Sequence, residues 1–150
     1  MSNRTYRYFK GTPLYPFGFG LSYSKFEYSN MKLSANQLPA GASLTVDADM
    51  KNTSQRDGDE VAEIYLQFPN SPGAPVRALR GFTRVHIGAG ETEHVRMTLD
   101  PRALSHVNQA GEHIIAPGSY HLSIGSGQPS TSAPTSEATF TITGKAELPE

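Results

Sequence analysis

SLTVDADMK, residues 43–51, alternates without a break: Leu44, Val46, Ala48 and Met50 fall on one parity, Thr45, Asp47, Asp49 and Lys51 on the other. A strand turns successive side chains to opposite faces, so the pattern predicts a strand with one face buried and one in water. The same reading extends outward. EVAEIYLQF (60–68) sets Ala62, Ile64, Leu66 and Phe68 against Glu63, Tyr65 and Gln67. VRALRGFTRVHI (76–87) sets Leu79, Val85 and Ile87 against Arg80, Phe82, Arg84 and His86, and TEHVRMTLD (92–100) sets Val95, Met97 and Leu99 against His94, Arg96 and Thr98. SYHLSIGS (119–126) points Tyr120, Leu122 and Ile124 inward, and EATFTIT (137–143) does so with Ala138, Phe140 and Ile142. Upstream, FEYSNMKLS (26–34) changes parity between Tyr28 and Met31, which predicts a bulge near Ser29 and Asn30.

The connecting stretches are rich in Gly, Pro, Asn and Ser, as turns require. Pro101 behind Asp100 predicts one helical turn with an aspartate cap. Seven short strands and no long helix favour an all-β fold. The expected architecture is a two-sheet antiparallel sandwich of fibronectin type III or immunoglobulin kind. Tyr120, just after Pro117 and Gly118, stands where a tyrosine corner would tie a strand to its preceding loop; an ordinary half-buried tyrosine fits equally.

Ahead of the sandwich runs TYRYFKGTPLYPFGFGLSYSKFEY (5–28), which holds nine of the fourteen aromatic residues. Tyr6, Tyr8, Phe9, Tyr15, Phe17, Phe19 and Tyr23 follow neither a helical nor a strand period, and Gly11, Pro13, Pro16, Gly18 and Gly20 interrupt them. The stretch reads as an extended, turning arm without a regular element, whose rings pack against a preformed surface. Residues 1–25 are thus expected as arm, 26–143 as sandwich and 144–150 as tail. With nothing else to cover it, the arm folds back on the sandwich or pairs with a second copy, giving a homodimer.

Thirteen Lys and Arg against fourteen Asp and Glu leave a net charge of -1, without the basic excess that nucleic acid requires. No cysteine is present, so disulfides, thiolate metal sites and cysteine nucleophiles drop out. No apolar run is long enough to cross a membrane, and MSNRTYRYFKG lacks the apolar core of a signal peptide. Asp57, Asp59 and Glu60 in RDGDE suggest calcium, but the spacing does not fit a twelve-residue calcium loop, and a charged turn with Gly58 at positive φ is favoured. His86, His94, His106, His113 and His121 show no compact ligand spacing, and His94 and His121 are expected as solvated side chains. Ser22, Ser24 and Ser119 lack a nucleophile elbow. Asn3-Arg4-Thr5 and Asn52-Thr53-Ser54 match the glycosylation pattern. The Arg77, Arg80, Phe82 and Arg84 face reads as a docking surface, with a solvated strand face as the plain alternative.

Taken in order, TYRYFKGTPLYPFGFGLSYSKFEYSN (5–30), NTSQRDGDEVAEIYL (52–66), APVRALRGFTRVHIGAGET (74–92), LDPRAL (99–104) and APGSYHLSIG (116–125) resemble the C-terminal fibronectin type III-like domain of family 3 glycoside hydrolases, the β-glucosidases and β-xylosidases. The resemblance implies a non-catalytic accessory domain. In that family the nucleophilic aspartate lies in an N-terminal barrel and the acid/base usually in a following α/β domain, so no catalytic, cofactor or metal residue is assigned here. A retaining glycosidase sets two carboxyl groups about 5 Å apart around the sugar. The implied partner is the catalytic domains, in cis or in trans, of a bacterial enzyme that is periplasmic or secreted. Two departures stand out: His106 and Val107 replace an aromatic pair that many relatives carry, and the hairpin at 126–136 is long. Glucoside or xyloside specificity stays open. Tyr6, Tyr8, Phe9, Tyr15, Phe17, Phe19, Arg80, Phe82 and Arg84 are the candidate contact residues, for domain docking first. The alternative is oligosaccharide or lignocellulose stacking, which the absence of tryptophan disfavours.

Overall fold

The computed structural model describes residues 5–17, 19–20, 22–69 and 71–149. Each of the seven alternating stretches forms a strand. β1 (Phe26–Leu33) opens the sandwich and is followed by a three-residue β2 (Gln37–Pro39). β3 (Leu44–Asn52), β4 (Gly58–Gln67), β5 (Ala78–Ile87) and β6 (Thr92–Leu99) come next, and β9 (Gly118–Gly125) and β10 (Thr135–Thr143) complete the long strands. Between β6 and β9 lie α2 (Pro101–Leu104) and a small hairpin of β7 (His106–Val107) and β8 (His113–Ile115), against which β11 (Ala146–Leu148) pairs. Four short strand segments thus join the seven expected ones.

One sheet runs β1-β3-β6 and the other β2-β10-β9-β4-β5. The long strands pair antiparallel, but β2 lies parallel to β10, with Leu38 opposite Ile142. That is a departure from a purely antiparallel sandwich. The stretch NQLPAGAS does turn the chain, yet Leu38 is buried, and burying it draws three residues onto the edge of β10. The core sits between the sheets. Leu44, Val46, Ala48 and Met50 from β3 meet Ala62, Ile64 and Leu66 from β4, with Leu122 and Ile124 from β9 and Phe140 and Ile142 from β10. All are essentially closed to solvent. Each fully buried large side chain is worth about 1.5–3 kcal/mol, which makes this layer the main source of stability.

The bulge falls where the parity changes: the register between β1 and β3 shifts between Ser29 and Lys32. Asn30 takes φ 52° there, a left-handed conformation that asparagine tolerates, and its amide donates to Asp49 Oδ2 at 2.8 Å. Asp100 caps α2 by accepting from the Ala103 N–H at 2.7 Å. Tyr120 is fully buried and donates its hydroxyl to the Ala116 carbonyl at 2.7 Å, the tie of a tyrosine corner.

Gly58 is a correction. It is not among the glycines with positive φ. Its requirement is space, because a Cβ at this position would come within 2.7 Å of Ser24 Oγ and 2.9 Å of Ser24 Cβ. The sequon at Asn52 is closed in the fold: its side chain is buried and donates to the carbonyls of Arg56 at 2.7 Å and Ile87 at 3.0 Å. Asn3 lies outside the described residues.

Candidate docking face

The arm is not wholly irregular. Thr5–Tyr8 form one helical turn, α1, closed by a bond from the Phe9 N–H to the Thr5 carbonyl at 3.0 Å. The breakers begin only at Gly11, which leaves room for a single turn at the start. This turn is pinned to the sandwich. The Val76 N–H donates to the Arg7 carbonyl at 2.7 Å, and the Leu79 N–H donates to Tyr6 Oη at 3.3 Å. The Tyr6 ring stacks on Phe17 with centroids 4.4 Å apart and meets Tyr65 edge-on at 6.1 Å. Tyr65 is on the outward parity of β4 and is nonetheless fully buried, because the arm covers it.

Past the turn the arm stands away from the core. Phe17 is held by its own N–H, which donates to Gln128 Oε1 at 3.3 Å, and Ser24 by its hydroxyl against the Arg56 and Asp57 carbonyls. On either side of the Phe17 anchor, Leu14 is 96% exposed, Tyr15 73%, Phe19 51% and Tyr23 94%. Of the six aromatics named from the sequence, Tyr6, Tyr8 and Phe9 are therefore partly covered, and Tyr15, Phe17 and Phe19 are open. The Tyr15 and Phe19 rings lie 5.3 Å apart but tilt by 49°. They do not form the flat row that sugar rings stack on.

The Arg80, Phe82 and Arg84 face does not exist as one row. Opposite Ile64 and Tyr65 the partner register jumps from Gly81 to Leu79, so Arg80 is left unpaired in a bulge. Arg80 thereby leaves the outward row. Its guanidinium lies 5.0 Å from the centre of the Phe68 ring and donates to the Ser105 carbonyl at 2.7 Å. Burial and the nearby Arg7 charge both press its pKa below the ordinary guanidinium value. Phe82 stays outward at 70% exposure, beside a half-exposed Val61 on β4. Arg84 is exposed too, but it is tied to Asp59, which also meets His86 Nδ1 at 2.7 Å.

The outer face of β1-β3-β6 carries a charge network. His94 sits between Asp49 Oδ1 at 2.8 Å and Asp47 Oδ1 at 3.0 Å, and Arg96 Nε donates to Asp47 at 2.7 Å. Hydrogen bonds to Asp49 and Asp47 lift the His94 pKa; bonds from Arg96 to Asp47 and from His94 to Asp49 hold those carboxyls below their usual range. His94 is exposed as expected and His121 half-buried, yet each is engaged, His121 with Glu137 Oε2 at 2.9 Å. Among the described residues no group of three or more His, Cys, Asp or Glu is arranged to hold a metal.

Two features escaped the sequence reading. Glu60 is buried and accepts hydrogen bonds from Tyr28 at 2.7 Å and from Ser126. Its shared parity with Ala62, Ile64 and Leu66 was the available signal. His106 is fully buried with neither ring nitrogen bonded, edge-on to Phe68 at 5.5 Å. Burial first, and then the Arg80 charge, push its pKa below the usual imidazole value.

Comparison with known proteins fits this geometry. The fibronectin type III-like domain profile matches residues 60–128, the span from the buried Glu60 to Gln128. The chain holds a fibronectin type III-like domain of the family 3 glycoside hydrolases. It is 37% identical to a β-xylosidase of Formosa agariphila over 121 residues, which is 80% of this chain and 17% of that protein. It is 36% identical to the periplasmic β-glucosidase of Salmonella typhimurium over 124 residues, 81% of this chain and 16% of that one. The solved β-glucosidase of Listeria innocua in complex with glucose superimposes with a TM-score of 0.77 at 33% identity, covering 88% of this chain and 18% of that enzyme. The matched segment is thus a small part of longer proteins, and the chain spans about a sixth of the relatives it matches.

Proposed function

We propose that this fibronectin type III-like chain is an accessory domain that braces the catalytic portion of a glycoside hydrolase acting on β-glucosides or β-xylosides. The arm is its contact surface. One observation carries the reading: Leu14, Tyr15, Phe19 and Tyr23 stand uncovered on an arm that is itself fixed at both ends. Exposed apolar side chains gathered in one place mark an interface, and aromatic residues are enriched at such contacts. The cover is the catalytic portion of the parent polypeptide, since the matched part makes up only 17% and 16% of these relatives. The periplasmic setting of the Salmonella relative supports a periplasmic or secreted parent.

The test is calorimetric titration with cello- and xylo-oligosaccharides, together with turnover of aryl glucosides and xylosides on the same sample. Neither heat nor turnover is expected. Saturable heat that disappears in Tyr15→Ala would replace this reading with a carbohydrate-binding one.

A further inference from the structure

Arginine side chains are always protonated, so a cluster of them needs a counter-charge. The exposed arginines of the two strand faces have theirs: Arg84 meets Asp59 and Arg96 meets Asp47. Around α1 the situation differs. Arg7 carries the carbonyl that receives the N–H groups of Val76 and Arg77, and its own Nε lies 3.5 Å from Tyr6 Oη. Arg77 reaches the Pro129 carbonyl and Arg80 the Ser105 carbonyl, while the Nε of each is buried without a partner. Among the described residues no carboxylate forms an ion pair with Arg7, Arg77 or Arg80. The three guanidinium groups thus meet only neutral oxygens and ring faces, Arg80 over Phe68 and Arg7 over Tyr6.

The turn also borders an open groove of about 800 Å³, walled by Tyr6, Arg7 and Tyr8 on one side and by Gly73, Ala74 and Gln109 on the other. Tyr6, in the groove wall, also stacks on Phe17 of the arm. Apolar ring walls with arginine at the margin complement a segment that carries carboxylates among apolar residues. We infer that this groove, with Arg7 in its wall and Arg77 and Arg80 on the segment bonded to the same helical turn, receives an acidic segment of the catalytic portion of the parent enzyme. This rests on the accessory-domain reading, whose arm contact it extends and gives a sign of charge.

The test uses the isolated chain and a probe that does not depend on that reading. Backbone amide and arginine Nε–Hε signals are followed by NMR while acetylated hexaglutamate is added, with acetylated hexalysine at equal ionic strength as control. Hexaglutamate is expected to shift the signals of Thr5–Tyr8, Gly73, Ala74, Arg77, Arg80 and Gln109, and to leave Arg96 in place. Arg7→Gln, an exposed change that spares the backbone bonds, should weaken this response at least about fivefold, as loss of a charged contact does. No shift at these residues, or an equal shift in Arg7→Gln, overturns the inference. If hexaglutamate binds here but the catalytic portion of a relative does not dock, the charge site stands and the bracing role fails.

Discussion

The ring of Tyr6 lies 4.4 Å from that of Phe17, nearly parallel, and closes over the fully buried Tyr65. One aromatic thereby joins the arm to the outer face of β4, whereas Tyr15, a few residues on, touches the sandwich with nothing comparable and is 73% exposed.

Tyr6→Ala and Tyr15→Ala should therefore separate. Tyr6→Ala uncovers Tyr65 and Phe17 and is expected to cost about 2–4 kcal/mol in urea unfolding, in the range of aromatic truncations at packed sites. Tyr15→Ala should change stability by no more than about 0.5 kcal/mol, as exposed substitutions do. Equal losses would mean that the arm packs differently from this description.

Tyr120→Phe removes only a hydroxyl, yet leaves the Ala116 carbonyl without its donor in a buried corner. An unsatisfied buried acceptor costs about 1–3 kcal/mol, so the denaturation midpoint should fall while the slope stays constant. Burial in that corner pushes the Tyr120 phenol pKa up to about 12, and burial raises those of Tyr28 and Tyr65 too, so a spectroscopic titration should find at least three tyrosines ionising well above the free phenol value.

Gly58→Ala forces a Cβ against Ser24 and should destabilise by about 1–3 kcal/mol, the usual cost of overpacking. Because the obstacle is the Ser24 side chain, Ser24→Gly should recover most of the loss in the double variant. A pure φ effect at Gly58 would not be rescued.

His106 sets an acid limit on stability. Its folded pKa is lowered, so the unfolded chain binds the extra proton more readily once pH falls below the free imidazole value of about 6.5. Stability is then lost as pH drops, and no carboxylate is among the groups that shift its titration; Arg80, the charge that does, disfavours protonation. His94 has the opposite sign: its pKa is raised, so its contribution is present at low pH and fades as pH rises through the folded value. The lowered Asp47 and Asp49 add stability above their free values and lose it in acid. Thermal melts from pH 5 to pH 8 should show a shallower acid slope in His106→Phe than in the natural chain, and an unchanged slope would remove His106 from the account.

What the sequence made legible follows from period and length. Seven strands of eight to ten residues display full alternation, and even the bulge at Ser29 and Asn30 shows as a change of parity. Strands of two or three residues, such as Gln37–Pro39 and His106–Val107, are too short to show a period and exist because Leu38 and His106 are buried by neighbours distant in sequence. The bulge at Arg80 was hidden for a related reason: it depends on how β4 and β5 pair, and the row Arg80, Phe82, Arg84 looks continuous until that pairing is known. Of the candidate contact residues, aromatic density located the arm, but which rings dock and which stay open was decided by Tyr65, Leu79 and Gln128, far along the chain.

The open arm is proposed to contact the catalytic portion of a glycoside hydrolase. The most direct measurement is binding of this chain to the Listeria innocua β-glucosidase lacking its matching segment, read by size exclusion and by recovery of soluble glucosidase activity. The account predicts a one-to-one complex with restored activity, lost in a Tyr15→Ala, Phe19→Ala double variant whose own fold is intact. A natural chain that stays monomeric beside the folded truncated enzyme, or a complex indifferent to both substitutions, would contradict it.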